Sequence, residues 1–160
     1  MPLSKLELER YRRQLGVDGW DQERLKRAKV FVAGVGGLGG VSATYLAEAG
    51  IGHLRICDSD RVELSNLNRQ ILYTDADVGK PKAIVAEERL MARNPSIEID
   101  AVLDTMTGAN AAELVSGCDL IVDGLDNHAG RLILNKASFD LKIPYIYGAI
   151  NDWLGQLSLF

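Results

Sequence analysis

A glycine-rich turn does more than any other feature to limit what this chain can become. The segment Gly34-Val-Gly36-Gly37-Leu-Gly39 follows an unbroken apolar run, Lys29-Val-Phe-Val-Ala-Gly34. It leads into Leu38, Val41, Tyr45, Leu46 and Ala49, spaced as on a helix until Gly50 and Gly52 stop it. An apolar run without alternation is the pattern of a strand buried on both faces of a parallel sheet. With no Cβ atoms in the way, the backbone between strand and helix can turn tightly and approach a phosphate, and the free N–H groups at the helix start face that anion. The turn therefore predicts a nucleotide-binding β-α unit, with Gly34, Gly36, Gly37 and Gly39 as its first candidate residues.

Strands and helices keep alternating beyond it. His53-Leu-Arg-Ile-Cys-Asp58 reads as a second strand that completes a β-α-β unit, and Asp58 stands 22 residues beyond Gly36. Pro81 suits the first turn of a helix running to about Arg93, where Asn94-Pro95 breaks it, and residues 97–102 alternate as a strand. A short helix near 109–116, an apolar strand Asp119-Leu-Ile-Val-Asp123, a helix over about 127–141 and a fifth strand Pro144-Tyr-Ile-Tyr-Gly148 follow. At the front, Ser4 with Glu7 makes a capping-box pattern ahead of Leu6, Leu8, Tyr11 and Leu15, which predicts a short N-terminal helix. The expected fold class is α/β: a Rossmann-like open, mostly parallel sheet with helices on both faces, preceded by that short helix. With 160 residues, 47% hydrophobic and 25% charged, a single domain over 1–160 is expected. Gly155-Gln-Leu-Ser-Leu-Phe160 alternates like a strand yet ends without turn, cap or polar tail, so the domain is expected to be truncated on its C-terminal side.

Composition excludes several classes. A formal net charge of −4 offers no basic field to nucleic acid or anionic membrane. No apolar run approaches a membrane span, and the N-terminus is charged from Lys5 without a signal peptide's apolar core. A cytoplasmic protein with no nucleic-acid and no membrane partner is expected. Cys57 and Cys118 stand alone in apolar stretches, which predicts inert core thiols and no zinc site within the chain. His53 and His128 have no partner at metal-ligand spacing.

Asp58, at the end of the second strand, can accept hydrogen bonds from both hydroxyls of a ribose. Asp60 competes for that role, since strand alternation would put both on one side. A glycine turn with an acid at this distance serves NAD and ATP sites alike. The polar stretch from Ser59 to Gly79 separates the two, being too long for an idle connection in a compact domain. In it, Asn66, Arg69 and Gln70 can place amide and guanidinium donors around a triphosphate, and Lys82 at the next helix start adds a point charge. An NAD-dependent oxidoreductase, the alternative suggested by Gly34, Gly36, Gly39 and Asp58, has no role for those residues.

At this point the sequence resembles the ThiF/MoeB/HesA family of carrier-protein adenylyltransferases, relatives of the ubiquitin-activating enzymes. The matching pieces are Arg10-Tyr-Arg-Arg-Gln14, Gly34-Val-Gly-Gly-Leu-Gly39, Asp58-Ser-Asp60, Ser65-Asn-Leu-Asn-Arg-Gln70, Val78-Gly-Lys-Pro-Lys82, Asp126-Asn127 and Gly155-Gln156, in family order. The resemblance implies ATP-dependent adenylation of the C-terminal glycine carboxylate of a small ubiquitin-like or sulfur-carrier protein ending in Gly-Gly, with ATP and Mg²⁺ bound and pyrophosphate released. It implies that Gly37 and its neighbours pack against nucleotide and that Asp58 holds the ribose. Asn66, Arg69, Gln70 and Lys82 would contact phosphates, and Asp126 would help hold Mg²⁺ with Asn127 beside it. Arg13 corresponds to the family arginine that reaches into the partner subunit's ATP site, so a homodimer with Arg13 supplied in trans is expected. The paired cysteines that bind zinc in many relatives, and the cysteine that captures carrier in some, lie beyond the equivalent of Phe160. Neither zinc nor thioester chemistry is expected of this chain. The non-enzymatic alternative is a nucleotide-binding fragment or scaffold.

Overall fold

The computed structural model describes residues 2–160. The chain begins with α1 (Lys5–Arg10), α2 (Arg12–Leu15) and α3 (Gln22–Arg27), then β1 (Lys29–Ala33), α4 (Gly37–Ala49) and β2 (His53–Cys57). A crossover with two single 3₁₀ turns, at Leu64–Asn66 and Asp75–Asp77, leads to α5 (Lys82–Arg93) and β3 (Glu98–Val102). After these come α6 (Ala111–Val115), β4 (Leu120–Asp123), α7 (His128–Leu141), β5 (Tyr145–Asn151) and β6 (Leu154–Leu159). The six strands form one sheet in the order β3-β2-β1-β4-β5-β6. All neighbours pair parallel except β6, which folds back antiparallel on β5.

The apolar run of β1 is continuous because both of its faces are covered. Val30 and Val32 point into the cluster with Leu54, Ile56, Val85 and Leu90, under α4 and α5. Phe31 and Ala33 point into the opposite cluster with Ile121, Leu134 and Tyr145, under α6 and α7. Burial of each such large side chain contributes about 1.5–3 kcal/mol, so β1 anchors both layers. Among the described residues no helix is long and apolar enough to cross a membrane.

The predicted N-terminal helix is two short ones, and α3 is an additional element that apolar spacing did not reveal. Its start is a capping effect: the Asp21 side chain accepts from Arg24 N at 2.8 Å. The break at Tyr11 has a tertiary cause. That ring is buried, and its hydroxyl accepts from Asn94 Nδ2 at 2.8 Å. Gln14 Nε2 donates to the Ala49 carbonyl at 2.7 Å, and Arg10 Nη1 donates to the Arg93 carbonyl at 2.9 Å. The N-terminal helices are thus docked on the C-terminal ends of α4 and α5. Pro81 caps α5 from just outside its first turn, and β5 runs three residues past the expected Gly148.

The capping box of α1 is doubly used. Glu7 accepts from Ser4 N and from Lys26 Nζ, both at 2.8 Å, and so ties α1 to α3. Burial acts to raise the Glu7 carboxyl, but the Lys26 and Ser4 bonds outweigh it and bring it down to about 2. Since the folded value lies below the ordinary 4.5, the charge contributes its full stability above pH 4.5 and loses it as the pH falls toward 2. Glu7→Gln should therefore unfold at lower urea than the wild type at pH 7, with the gap closing between pH 4.5 and 2. A gap that does not change with pH would show that the ionised carboxylate is not what holds α1.

Candidate active site

A cavity of about 650 Å³ opens at the carboxyl ends of the strands, beside the point between β1 and β4 where the strand order reverses. Ligands of open α/β sheets gather at such crevices. Its walls are the glycine turn, the end of β2, part of the crossover with Lys82, and the loop from β4 into α7. The helices α4, α5 and α7 all begin on its rim. Their N-terminal N–H groups and partial positive charges converge there, among Asp58, Asp60, Asp104 and Asp126 and the cations of Arg69, Lys82 and Arg131.

The glycines of this region fall into two groups. Gly34 has φ +78°, a left-handed backbone that β-carbons disfavour. A Cβ on Gly39 would collide with the Gly34 carbonyl oxygen, and one on Gly124 would lie 2.6 Å from Gly39 Cα. These three let the backbone of α4 touch the ends of β1 and β4. Gly36 and Gly37 have no such packing reason. A Cβ there would meet only the Gln70 side chain, with Nε2 at 3.4 Å, or the Arg69 side chain, with Cγ at 3.7 Å. Of the candidate glycines, Gly34, Gly36 and Gly37 line the cavity, and Gly39 lies behind it as a packing residue.

Asp58 and Asp60 are not on the strand, because β2 ends at Cys57, yet both line the cavity. Asp58 Oδ2 accepts from Val35 N at 2.9 Å and Oδ1 accepts from Asp60 N at 2.8 Å, which fixes the carboxylate at the cavity wall. Asp60 instead pairs with Lys82, Nζ to Oδ2 at 2.9 Å, and the two partners differ sharply in side-chain exposure: 7% for Lys82 and 68% for Asp60. The neighbouring thiol is inert. Burial pushes Cys57 up to about 11, and the charges of Asp58 and Asp104 add to that.

From the crossover, Arg69 and Gln70 reach the cavity and Asn66 does not. Asn66 is buried and shapes the turn: its Oδ1 accepts from Glu63 N, and its carbonyl accepts from the N–H groups of Arg69 and Gln70. Arg69 is exposed, its Nη1 resting 3.0 Å from the Ser65 carbonyl. Gln70 is buried with Oε1 turned inward and without a partner, so its amide NH₂ end is the one near Gly36. Two residues not singled out in the sequence hold this segment. The Tyr73 hydroxyl donates to the Val35 carbonyl at 2.8 Å, tying crossover to glycine turn. Asp77 collects Thr74, Lys80 and Arg89; its carboxyl, which burial acts to raise, is held far below the usual range by those bonds.

On the opposite wall, Asp126 and Asn127 line the cavity at the start of α7. Asn127 is partly committed as helix cap, its Oδ1 accepting from Gly130 N at 2.8 Å. Arg131, also missed, lies in this wall with only 12% of its side chain exposed and its Nε 3.3 Å from Asp123 Oδ2. Its spacing of four from Asn127, one helical turn, was the available signal. Arg13 is far from its own cavity. It is exposed on α2, which docks at the C-terminal end of α4, while the cavity is at the N-terminal end of that 13-residue helix. That separation is about 20 Å.

The model of the ThiF family matches residues 9–160. The chain belongs to the ThiF family. It is 46% identical to a sulfur carrier protein adenylyltransferase of Thermus thermophilus, over all of this chain and 60% of that protein. It is 43% identical to the molybdopterin-synthase adenylyltransferase of Escherichia coli, over 99% of this chain and 65% of that one. The chain thus spans about three fifths of the length of these curated relatives. Among solved structures, the E. coli tRNA N6-threonylcarbamoyladenosine dehydratase in complex with ATP superposes with a TM-score of 0.86 at 30% identity, covering 91% of this chain and 60% of that one.

The two glycine groups should respond in opposite ways to one added methyl. Gly39→Ala should lower unfolding stability by about 3 kcal/mol or more, because backbone must move. Gly37→Ala, at the first position of α4, should leave stability within about 1 kcal/mol and weaken ATP binding by calorimetry. Equal ATP affinity in Gly37→Ala and wild type would mean that the bare backbone there faces no ligand.

Proposed function

We propose that this chain is the ATP-holding part of an adenylyltransferase that activates the C-terminal glycine carboxylate of a small ubiquitin-like or sulfur-carrier protein ending in Gly-Gly. The observation that carries the reading is one cavity lined together by Arg69, Gln70, Lys82 and the bare backbone of Gly36 and Gly37. Such a donor set suits a triphosphate and has no counterpart need in a nicotinamide site. Asp58, with a lone pair left on each oxygen beyond its backbone bonds, suits the ribose hydroxyls.

The residues also fit Mg²⁺. The described residues contain no cluster of three or more acidic, His or Cys ligands. Mg²⁺ at a nucleotide commonly takes one or two carboxylates, phosphate oxygens and water, so Asp126 on the open wall suffices as the protein's ligand. When bound, the ion supplies charge neutralisation for the phosphates. A carboxylate is already a nucleophile at neutral pH, so the chain's own work is orientation and charge stabilisation rather than proton removal. One carboxylate oxygen forms a bond to the α-phosphorus of ATP, and the bond from that phosphorus to the bridging oxygen breaks. The electron pair leaves with pyrophosphate, and the acyl-adenylate remains. Lys82 and Arg69 spread the growing charge, while the Gly36–Gly37 backbone holds the phosphates in line.

Arg13 belongs to this scheme only as a residue of a second copy. Its distance from its own cavity supports a homodimer in which each chain lends the arginine to its partner. The two buried, unbridged cysteines suit the reducing cytoplasm.

Exchange of labelled pyrophosphate into ATP, dependent on a Gly-Gly-ending carrier, is the expected activity. Arg69→Ala should reduce it by about 100-fold or more. Arg13→Ala and Arg69→Ala chains, each inactive alone, should regain exchange when mixed into a heterodimer. ATP binding without exchange for any such carrier would leave the chain a nucleotide-binding scaffold, and a confirmed heterodimer without complementation would refute an arginine acting in trans.

A further inference from the structure

We propose that Arg131 is the positioning residue of the Asp126 loop, fixing where the Asp126 carboxylate stands in the cavity; this rests on the ATP and Mg²⁺ reading above. Asp126 is exposed between the end of β4 and the start of α7, so its place depends on what holds its backbone. Gly124 N donates to the Ala33 carbonyl at 2.8 Å, and beyond Gly124 the loop is tied at three points. Leu125 N donates to Asp123 Oδ1 at 2.8 Å, and Asn127 Oδ1 accepts from Gly130 N at 2.8 Å, but both bonds are local. The third point is the Leu125 carbonyl, covalently joined to the Asp126 nitrogen, which accepts from Arg131 Nη2 at 2.6 Å. That same Nη2 lies 3.2 Å from the Gly148 carbonyl on β5. Arg131 is what connects the loop to the neighbouring strand.

The guanidinium is itself held on three sides. Nε lies 3.3 Å from the fully buried Asp123 carboxylate, an ion pair without hydrogen-bond alignment, and Asp123 Oδ2 accepts from the Tyr145 hydroxyl at 2.7 Å. Its Cζ sits 5.3 Å from the centroid of the Tyr147 ring. Nη2 is thus committed to two main-chain carbonyls and Nε lies against Asp123, so this edge of the guanidinium serves the protein's own frame. A planar fork can bridge a carboxylate and two carbonyls at fixed angles, which a single ammonium cannot. A supporting residue of this kind typically changes metal affinity by 10–100-fold when removed.

The test is calorimetric titration of the full chain with ATP, once with excess MgCl₂ and once with EDTA. The chains compared are wild type, Arg131→Ala, Arg131→Lys, Asp126→Ala and the double Arg131→Ala/Asp126→Ala variant. Mg²⁺ should tighten ATP binding to the wild type. Arg131→Ala should lose about tenfold of that gain while keeping its Mg²⁺-free affinity within about twofold. Asp126→Ala should lose the same gain, and the double variant no more than either, as expected of two groups acting through one contact. Hydrogen exchange should accelerate at the amides of 125–127 in Arg131→Ala. Should that variant not fold, Arg131→Lys, which keeps the charge and loses the fork, should show the same Mg²⁺-specific loss. Equal losses with and without Mg²⁺, or additive losses in the double variant, would overturn the proposal. A wild type that binds no ATP would overturn the site reading and this one with it, a failure distinct from a variant that binds ATP but ignores Mg²⁺ like the wild type.

Discussion

The site depends on a contact between backbones. Gly34 at the end of β1, Gly39 in the first turn of α4 and Gly124 at the end of β4 meet with no side chain between them. That closeness sets how far α4 sits from the sheet and aims its first N–H groups across the crevice where the strand order reverses. The neighbouring Gly36 and Gly37 then line the cavity, beside the Gln70 and Arg69 side chains. Packing glycines and cavity-lining glycines therefore do different work within six consecutive residues, and the second group is placed because the first is.

Charge is organised with the same division of labour. A buried cation needs a partner, because its desolvation is otherwise uncompensated. Lys82 and Arg131 both have one, but the partners differ in kind. Asp60, beside Lys82, keeps 68% of its side chain in solvent, whereas Asp123, beside Arg131, is fully buried. A phosphate entering the cavity can take Lys82 and return Asp60 to water at small cost, so that pair is exchangeable. Asp123 has no water to return to and also carries the Tyr145 hydroxyl, so the Arg131 pair is permanent structure. Exposure of the carboxylate, more than the distance between charges, decides which cation is available to a ligand.

Much of this was legible in the sequence because local patterns and tertiary demands agree. The unbroken run of β1 and the helical spacing of α4 each reflect a single burial condition, and the capping box at Ser4 and Glu7 is a purely local device. The crossover announced its residues by composition, yet composition does not say which way a side chain turns. Asn66 looks like a phosphate donor in the sequence and is spent on building the turn that presents Arg69 and Gln70. Asp60 looked interchangeable with Asp58 only on the assumption that β2 continues past Cys57. Tyr73 was not legible because its partner is the main-chain carbonyl of Val35, and Arg131 left only its spacing from Asn127, since the carbonyls of Leu125 and Gly148 leave no mark in a sequence. Gly124 was silent for a similar reason: what requires it is the approach of Gly39, 85 positions earlier in the chain.

The placement of the N-terminal helices gives the proposed dimer its geometric logic. They are fastened to Ala49, Arg93 and Asn94, at the far ends of the two helices whose near ends open on the cavity. The length of α4, about 20 Å, separates α2 from that cavity, so no local rearrangement of α2 brings the guanidinium round to its own site. A second copy does not face that obstacle. In a two-fold pair the contact is isologous, and whatever one chain's N-terminal segment does at the partner's crevice is done in return at its own. Leu6, Leu8, Leu15 and Val17 expose apolar surface along the same segment, which gives such a contact something to bury besides charge. Under the proposed function, an arginine in this position makes catalysis conditional on assembly: a lone chain holds nucleotide, and the pair neutralises the phosphates fully.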